Sequence, residues 1–445
     1  MDKTNREILN LAIPSIVSNI TVPLLGLVDL TIVGHIGNEN YISAIAIGSM
    51  IFNIMYWILG FLRMGTSGMT SQAYGREDWE DALRVLLRAL TIGVGMGMAF
   101  IVCQSAIEWG MVRAMNTPES SFPLVRAYFR IAIWGAPAML GLYGLTGWFI
   151  GMQNTKIPML IAIVQNIINI FASLLFVFAF GWKIEGVAAG TLIAQWSGFF
   201  MALFFVHRGL RNKTFYASAT TAQLSLSLFK STFAHVEAWQ RFFVVNRDIF
   251  LRTLCLVAVN LFFTSAGGRQ GALMLSVNTL LMTMFTLFSY FMDGFAYAGE
   301  ALSGKLYGAK DKARFLQMVR RLFFFGGVMV VLFTSVYVFG GLDFLRLLTD
   351  EEYVVRASIP YLIWVYFIPL AGVAAFIYDG IFIGMTETKG MLIPSAIAMA
   401  CFFAFYYVAK PSLGNNALWI AFLMFLSFRG ILQFFWARKY VFNRF

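Results

Sequence analysis

One offset organises the whole chain. Phe149-Ile150-Gly151-Met152-Gln153-Asn154-Thr155-Lys156 returns 233 positions later as Phe382-Ile383-Gly384-Met385-Thr386-Glu387-Thr388-Lys389, with six of eight residues identical. Tyr74, Gly75, Asp78, Leu83 and Arg88 recur at the same offset as Tyr307, Gly308, Asp311, Leu316 and Arg321. One such match could be chance in a biased composition; two that share an offset mark a duplicated half with its helices in the same order. In a membrane chain, duplication points to a transporter with two lobes around a central cavity.

The medium follows from composition. Hydrophobic residues make up 59% of the 445 and charged residues 12%, and no polar stretch is long enough for a domain outside the membrane. Apolar runs of about 20 residues, the length that crosses a bilayer core, fall near 8–36, 41–72, 85–114, 124–151, 157–181, 186–207, 231–266, 271–306, 314–340, 358–386, 391–411 and 416–437. The fold class is therefore an all-α polytopic membrane protein with twelve transmembrane helices, six per half. An even number per half returns the chain to its starting side, so the two copies are parallel repeats.

The longest polar break, 208–230, carries Arg208, Arg211, Lys213 and a Ser/Thr run. It reads as a cytoplasmic linker between an N-terminal lobe, 1–207, and a C-terminal lobe, 231–445. With the amino terminus inside, about 20 of the 33 Lys and Arg residues fall at cytoplasmic ends and loops. Five fall within the membrane: Arg63, Arg241, Arg247, Arg252 and Arg429. Both termini are then expected in the cytoplasm, and the net charge of +11 needs no nucleic-acid partner. The basic loops should instead attract anionic membrane lipids. No short apolar core with a small-residue cleavage site opens the chain, so the first helix is expected to be retained.

The absences narrow the function. Cys103, Cys255 and Cys401 lie singly in apolar segments, and His35, His207 and His235 are scattered, so neither a metal site nor a redox pair is expected. No phosphate-binding Gly-Lys-Ser/Thr loop and no catalytic constellation occurs. The chain is therefore read as no enzyme and as needing no cofactor; uphill transport would draw on an ion gradient or a partner.

Function should lie with the few ionisable residues inside the helices, because a mid-membrane carboxylate is costly and must face a cavity, pair or titrate. Asp29 stands among apolar and neutral neighbours, from Leu24 to Val28 and from Leu30 to Val33, with no cation near it on its helix. Such a carboxylate is fit to bind and release a proton near physiological pH; a structural hydrogen-bonding role is the alternative. Pro14 and Pro23 interrupt the same helix, and Pro14 could bend it as Asp29 changes charge, although membrane prolines also serve packing alone.

In the second half, Asp248 and Arg252 are four apart and could pair on one helix face, while Asp293 and Glu300 are seven apart and also share a face. Asp379 precedes the repeated Phe-Ile-Gly and has Thr146 as its counterpart, so this carboxylate belongs to one half only. A network of these residues, with Lys305 near its edge, would be a structural clamp or a proton and substrate site, the clamp being favoured. Arg63 also needs an acidic partner or water.

Taken in order, Val28-Asp29-Leu30-Thr31-Ile32-Val33-Gly34-His35-Ile36-Gly37, Gly60-Phe61-Leu62-Arg63-Met64-Gly65-Thr66, Asn246-Arg247-Asp248-Ile249-Phe250-Leu251-Arg252, Tyr290-Phe291-Met292-Asp293-Gly294 and Tyr378-Asp379-Gly380-Ile381-Phe382-Ile383-Gly384 resemble the multidrug and toxic compound extrusion (MATE) family, in particular its DNA-damage-inducible protein F branch. The resemblance covers nearly the whole length. It implies two six-helix lobes forming a V-shaped cleft in a bacterial cytoplasmic (inner) membrane, and an antiporter expelling small organic, often cationic or amphiphilic compounds as protons or sodium ions enter. It makes Asp29 the coupling carboxylate and Pro14 the accompanying bend. Ion-binding relatives also use an asparagine and an aspartate four apart and a threonine on the next helix; the matching positions are Asn169, Ser173 and Thr191, with Ser173 in place of the aspartate. That departure favours proton over sodium coupling, since a hard cation prefers the second carboxylate.

The 23 Met and 74 aromatic residues permit adaptable binding of large cations, although most must face lipid or pack helices. The expected state is a monomer. A flippase for lipids or lipid-linked precursors, from the same superfamily, is the alternative.

Overall fold

The computed structural model describes residues 3–34, 39–114, 121–211 and 232–442, except the side chains of 22–25, 27, 29, 30, 33, 34, 39, 40, 111, 112 and 114. The described residues form helices and short connections, with no strand among them. In chain order the α-helices are α1 (Lys3–Gly34), α2 (Glu39–Leu59), α3 (Phe61–Gly75), α4 (Trp79–Val102), α5 (Gln104–Ala114), α6 (Phe122–Ala132), α7 (Ala136–Gly151), α8 (Lys156–Leu174) and α9 (Lys183–Arg211). The second half continues with α10 (Val236–Gly268), α11 (Ala272–Gly308), α12 (Lys312–Leu348), α13 (Glu352–Ser358), α14 (Leu362–Gly384), α15 (Lys389–Leu413) and α16 (Asn415–Trp436). The linker of the sequence reading falls almost wholly outside the described residues.

Eleven stretches of the described residues are long and apolar enough to cross a membrane, α2 with α3, α6 with α7 and α13 with α14 each making one. Helix α1, with 32 residues, adds a further helix of spanning length. The chain packs as two compact units, Val17–Phe243 and Met1–Ile16 with Val244–Phe445. The first turns of α1 thus pack among second-half helices, and the division falls just beyond Pro14, which is buried inside α1.

The repeat is legible in the backbone. Among the described residues, non-glycine left-handed backbone occurs at Glu77 and Lys310, at Gln153 and Thr386, and at Lys183; the first four are two pairs related by the 233 offset. Left-handed backbone costs an ordinary residue about 1–2 kcal/mol. Each of these four turns closes the preceding helix with a backbone bond spanning five residues: Asp78 to Ala73 at 2.9 Å, Asn154 to Phe149 at 2.9 Å, Asp311 to Leu306 at 3.0 Å and Glu387 to Phe382 at 2.8 Å. Asp78 and Asp311 then cap α4 and α12, each carboxylate accepting from the backbone N–H three residues on at 3.0 Å.

The inner helix crossings are duplicated as well. A Cβ at Gly147 would lie 2.2 Å from the carbonyl oxygen of Arg63, and one at Gly151 would lie 2.8 Å from that of Ser67. At the same offset, a Cβ at Gly380 would lie 2.3 Å from the Ala296 oxygen and one at Gly384 2.3 Å from that of Glu300. Glycines four apart let α7 meet α3, and α14 meet α11, at backbone distance. In the first unit Trp148 and Phe149 are fully buried beside this crossing, and the Trp148 indole N–H donates to the Ala82 carbonyl at 3.0 Å.

Candidate functional site

The crossing of α14 and α11 seats a carboxylate in the protein interior. Asp379 immediately precedes Gly380, and it is 5% exposed. Helix α16 also approaches α14 closely, since a Cβ at Gly430 would lie 2.8 Å from that of Ala374. This approach brings Arg429 and Gln433, four apart on one face of α16, onto the same carboxylate. Arg429 Nη2 donates to Asp379 Oδ2 at 2.6 Å and Gln433 Nε2 donates to Oδ1 at 2.6 Å. From α10, Arg252 Nη2 also donates to Oδ2.

Both oxygens of Asp379 are therefore engaged, and both guanidiniums are more than nine-tenths buried. Asp293, half-buried on α11, lies within electrostatic range of both. Two guanidiniums and two carboxylates make a formally neutral cluster, the form in which buried charge is tolerated. The Nε atoms of Arg252 and Arg429 and the Oε1 of Gln433 are buried without a hydrogen-bond partner among the described residues.

Asp248 is arranged differently from its sequence expectation. It does not pair with Arg252 one turn on. Its Oδ1 accepts from Arg247 at 2.8 Å and its Oδ2 from the Thr388 hydroxyl at 2.9 Å. Thr388 begins the approach to α15, so Asp248 ties that turn to α10, while Arg252 reaches across to Asp379 on α14. Glu300 is buried on α11, and its backbone carbonyl faces Gly384 at the crossing. Lys305 stands apart from the cluster, among the charges of Glu7, Arg314 and Lys3.

In the first half, α8 and α9 bring Asn169, Ser173 and Thr191 together. Asn169 Nδ2 donates to Thr191 Oγ1 at 3.0 Å, and Thr191 donates to the Val187 carbonyl at 3.1 Å. Asn169 and Ser173 are fully buried, and Asn169 Oδ1 and Ser173 Oγ have no hydrogen-bond partner among the described residues. The two helices touch here because residue 190 is glycine: a Cβ there would lie 2.3 Å from Ser173 Oγ. Two residues beyond Ser173, α8 loosens into a π-helical turn, Leu175–Ala179, a feature often found beside functional sites.

Arg63 is buried on α3 at the α7 crossing. The side chain of Asp29 lies outside the described residues, as does that of Pro23. Sequence reasoning counted Arg429 among the intramembrane cations without joining it to a partner, and it missed Gln433, which has no charge to draw notice. The spacing of four between them was the available signal. It also missed Glu108, buried on α5 and held by Arg126 at 2.7 Å and Arg130 at 3.1 Å. Among the described residues no group of three His, Cys, Asp or Glu could hold a metal ion.

Comparison with known proteins adds to this geometry. The MatE family model matches residues 14–175 and again 249–408, once in each half, as duplication requires. The chain is 33% identical over 441 residues to DNA damage-inducible protein F of Escherichia coli K12, covering 99% of this chain and 94% of that protein. It is 21% identical to the chloroplastic Protein DETOXIFICATION 44 of Arabidopsis thaliana, covering 96% of this chain and 81% of that one. Among solved structures, MATE in the bent conformation superposes with a TM-score of 0.84 at 18% identity, over 98% of this chain and 95% of that one. An outward-facing multidrug resistance MATE family transporter superposes with a TM-score of 0.83 at 17% identity, over 100% and 98%.

Proposed function

The chain belongs to the MatE family of multidrug efflux transporters, and from that premise we propose that it is a secondary antiporter exporting small organic, often cationic compounds by alternating access while protons enter. Asp29 is the coupling group in this reading and Pro14 the point where α1 bends. The protein acts as a monomer in a bacterial cytoplasmic membrane with both termini in the cytoplasm, and it is no enzyme.

The observation that carries the proton reading is the chemistry of the buried oxygens on α8 and α9. Asn169 Oδ1, Ser173 Oγ and Thr191 Oγ1 are neutral oxygens, and no carboxylate stands at 173. A proton needs one carboxylate with suitable neighbours, whereas a hard cation gains from added negative charge. The state of Asp379 also supports placing the coupling group in the first half, because two guanidiniums and an amide already occupy both of its oxygens. Asp379 thus reads as a clamp.

Sodium coupling remains the second reading, favoured by the two unpartnered oxygens of Asn169 and Ser173. Ion-gradient-dependent dye transport in everted vesicles tests the assignment. Asp29→Asn, nearly isosteric and unable to titrate, should abolish gradient-driven transport while expression persists. Near-normal transport by this variant would move the coupling site elsewhere, with Asp248, Asp293 and Asp379 next in line.

A further inference from the structure

Near its start, α12 carries a groove of about 500 Å³ lined by Ala313, Leu316, Gln317, Arg320, Arg321 and Phe324. Their spacing of three, one, three, one and three places all six on one helix face. Arg320 is exposed and has no ion pair or hydrogen bond among the described residues. Continuing along the helix from the groove, Phe324, Val328, Val331 and Leu332 are all exposed. The flank therefore changes within two turns from guanidinium to open apolar surface, as the membrane boundary does.

The duplicated half supplies an internal comparison. At the 233 offset the six positions are Glu80, Leu83, Arg84, Leu87, Arg88 and Thr91. There Glu80 holds Arg84 at 2.8 Å and Arg88 is buried. In the second half Ala313 replaces the acid, Gln317 its partner and Arg320 replaces Leu87, so this helix start has exchanged a closed ion pair for an exposed cation without a carboxylate in the groove.

We infer that this groove binds an anionic phospholipid, with Arg320 and Arg321 toward the phosphate and an acyl chain along Phe324, Val328 and Leu332. The Lys and Arg asymmetry puts this end of α12 on the cytoplasmic side, where the lipid would belong to the inner leaflet. A basic side chain at the surface of an anionic membrane contributes about a fivefold gain in affinity. The guanidinium fork suits a phosphate oxygen pair.

Full-length protein in neutral detergent can be titrated with fluorescent short-chain phosphatidylglycerol and, separately, phosphatidylcholine. Phosphatidylglycerol should bind at least about fivefold more tightly. Arg320→Gln should remove most of that preference, and Arg320→Lys should keep most of it. Ala313→Glu, which restores the first half's acid at an exposed position, should also remove it without deleting any group. Arg356→Gln, at an exposed arginine paired with Glu352 at 3.4 Å outside the groove, should leave it unchanged. Equal binding of the two lipids by the unaltered protein would overturn the inference, and this arm does not depend on any variant folding. So would a preference that survives both Ala313→Glu and Arg320→Gln, or displacement of the lipid by inorganic phosphate at equal concentration, which would make the ligand a free anion.

Discussion

Replacing Asp379 by asparagine removes one charge and almost no volume. In the intact protein this carboxylate receives Arg252 and Arg429 on one oxygen and Gln433 on the other, all of them buried. Without it, the carboxylate within electrostatic range of both buried guanidiniums among the described residues is the half-buried Asp293. Removing one partner of a buried ion pair costs about 3–5 kcal/mol, because an uncompensated charge stays behind. For a unit of this size, each kcal/mol moves the unfolding midpoint by about 2–4 °C, so Asp379→Asn should lower it by roughly 6–20 °C. Thermal unfolding in detergent, followed by tryptophan fluorescence, measures this. Adding Arg429→Gln to the same chain should restore part of the loss, since the surplus charge falls, and a double-mutant cycle should give a coupling of about 1–3 kcal/mol. A midpoint within about 2 °C of the unaltered protein would refute the clamp, and lost transport at unchanged stability would make Asp379 a transport residue.

Pro14→Ala should slow turnover more than it weakens substrate binding, because the helix regains a backbone hydrogen bond and resists bending; steady-state transport beside dye-binding titrations separates the two. Gly294→Val should destabilise by about 1–3 kcal/mol, since a Cβ at Gly294 would already lie 2.3 Å from Ile16 Cγ1 and 2.9 Å from the Ala12 carbonyl oxygen on α1. Gly327→Ala, where a Cβ meets nothing within 4 Å, should hold or raise the unfolding midpoint in the same assay. In a cysteine-free background, a cysteine at position 38 should react with an impermeant thiol reagent applied to intact cells and one at 218 should not; the reverse pattern would invert the proposed orientation. Both positions, Asn38 and Ser218, lie outside the described residues.

The helical fold was legible because membrane spans are written locally, in apolar runs of one length, and because the repeat preserved even its left-handed turns at Glu77, Gln153, Lys310 and Thr386. The site was legible only in part. Asp379 and Arg252 were picked out as rare charges, but their pairing joins residues 127 positions apart, which helix spacing cannot foretell. The spacing instead favoured Asp248 with Arg252, and it failed because Arg247 and Thr388 reach Asp248 first. Gln433 carries no charge and gave no signal by itself. Asn169, Ser173 and Thr191 were found through family resemblance rather than chemistry, since neutral side chains in apolar helices more often serve packing.

Proteoliposomes test the central claim, that transport runs on protons, most directly. The protein is reconstituted with a fluorescent cationic substrate, and either a proton gradient without sodium or a sodium gradient at equal pH is imposed. Proton coupling predicts substrate movement under the first condition, abolished by Asp29→Asn and by an uncoupler, and none under the second. Robust sodium-driven movement at equal pH, or proton-driven movement that survives Asp29→Asn, would contradict it.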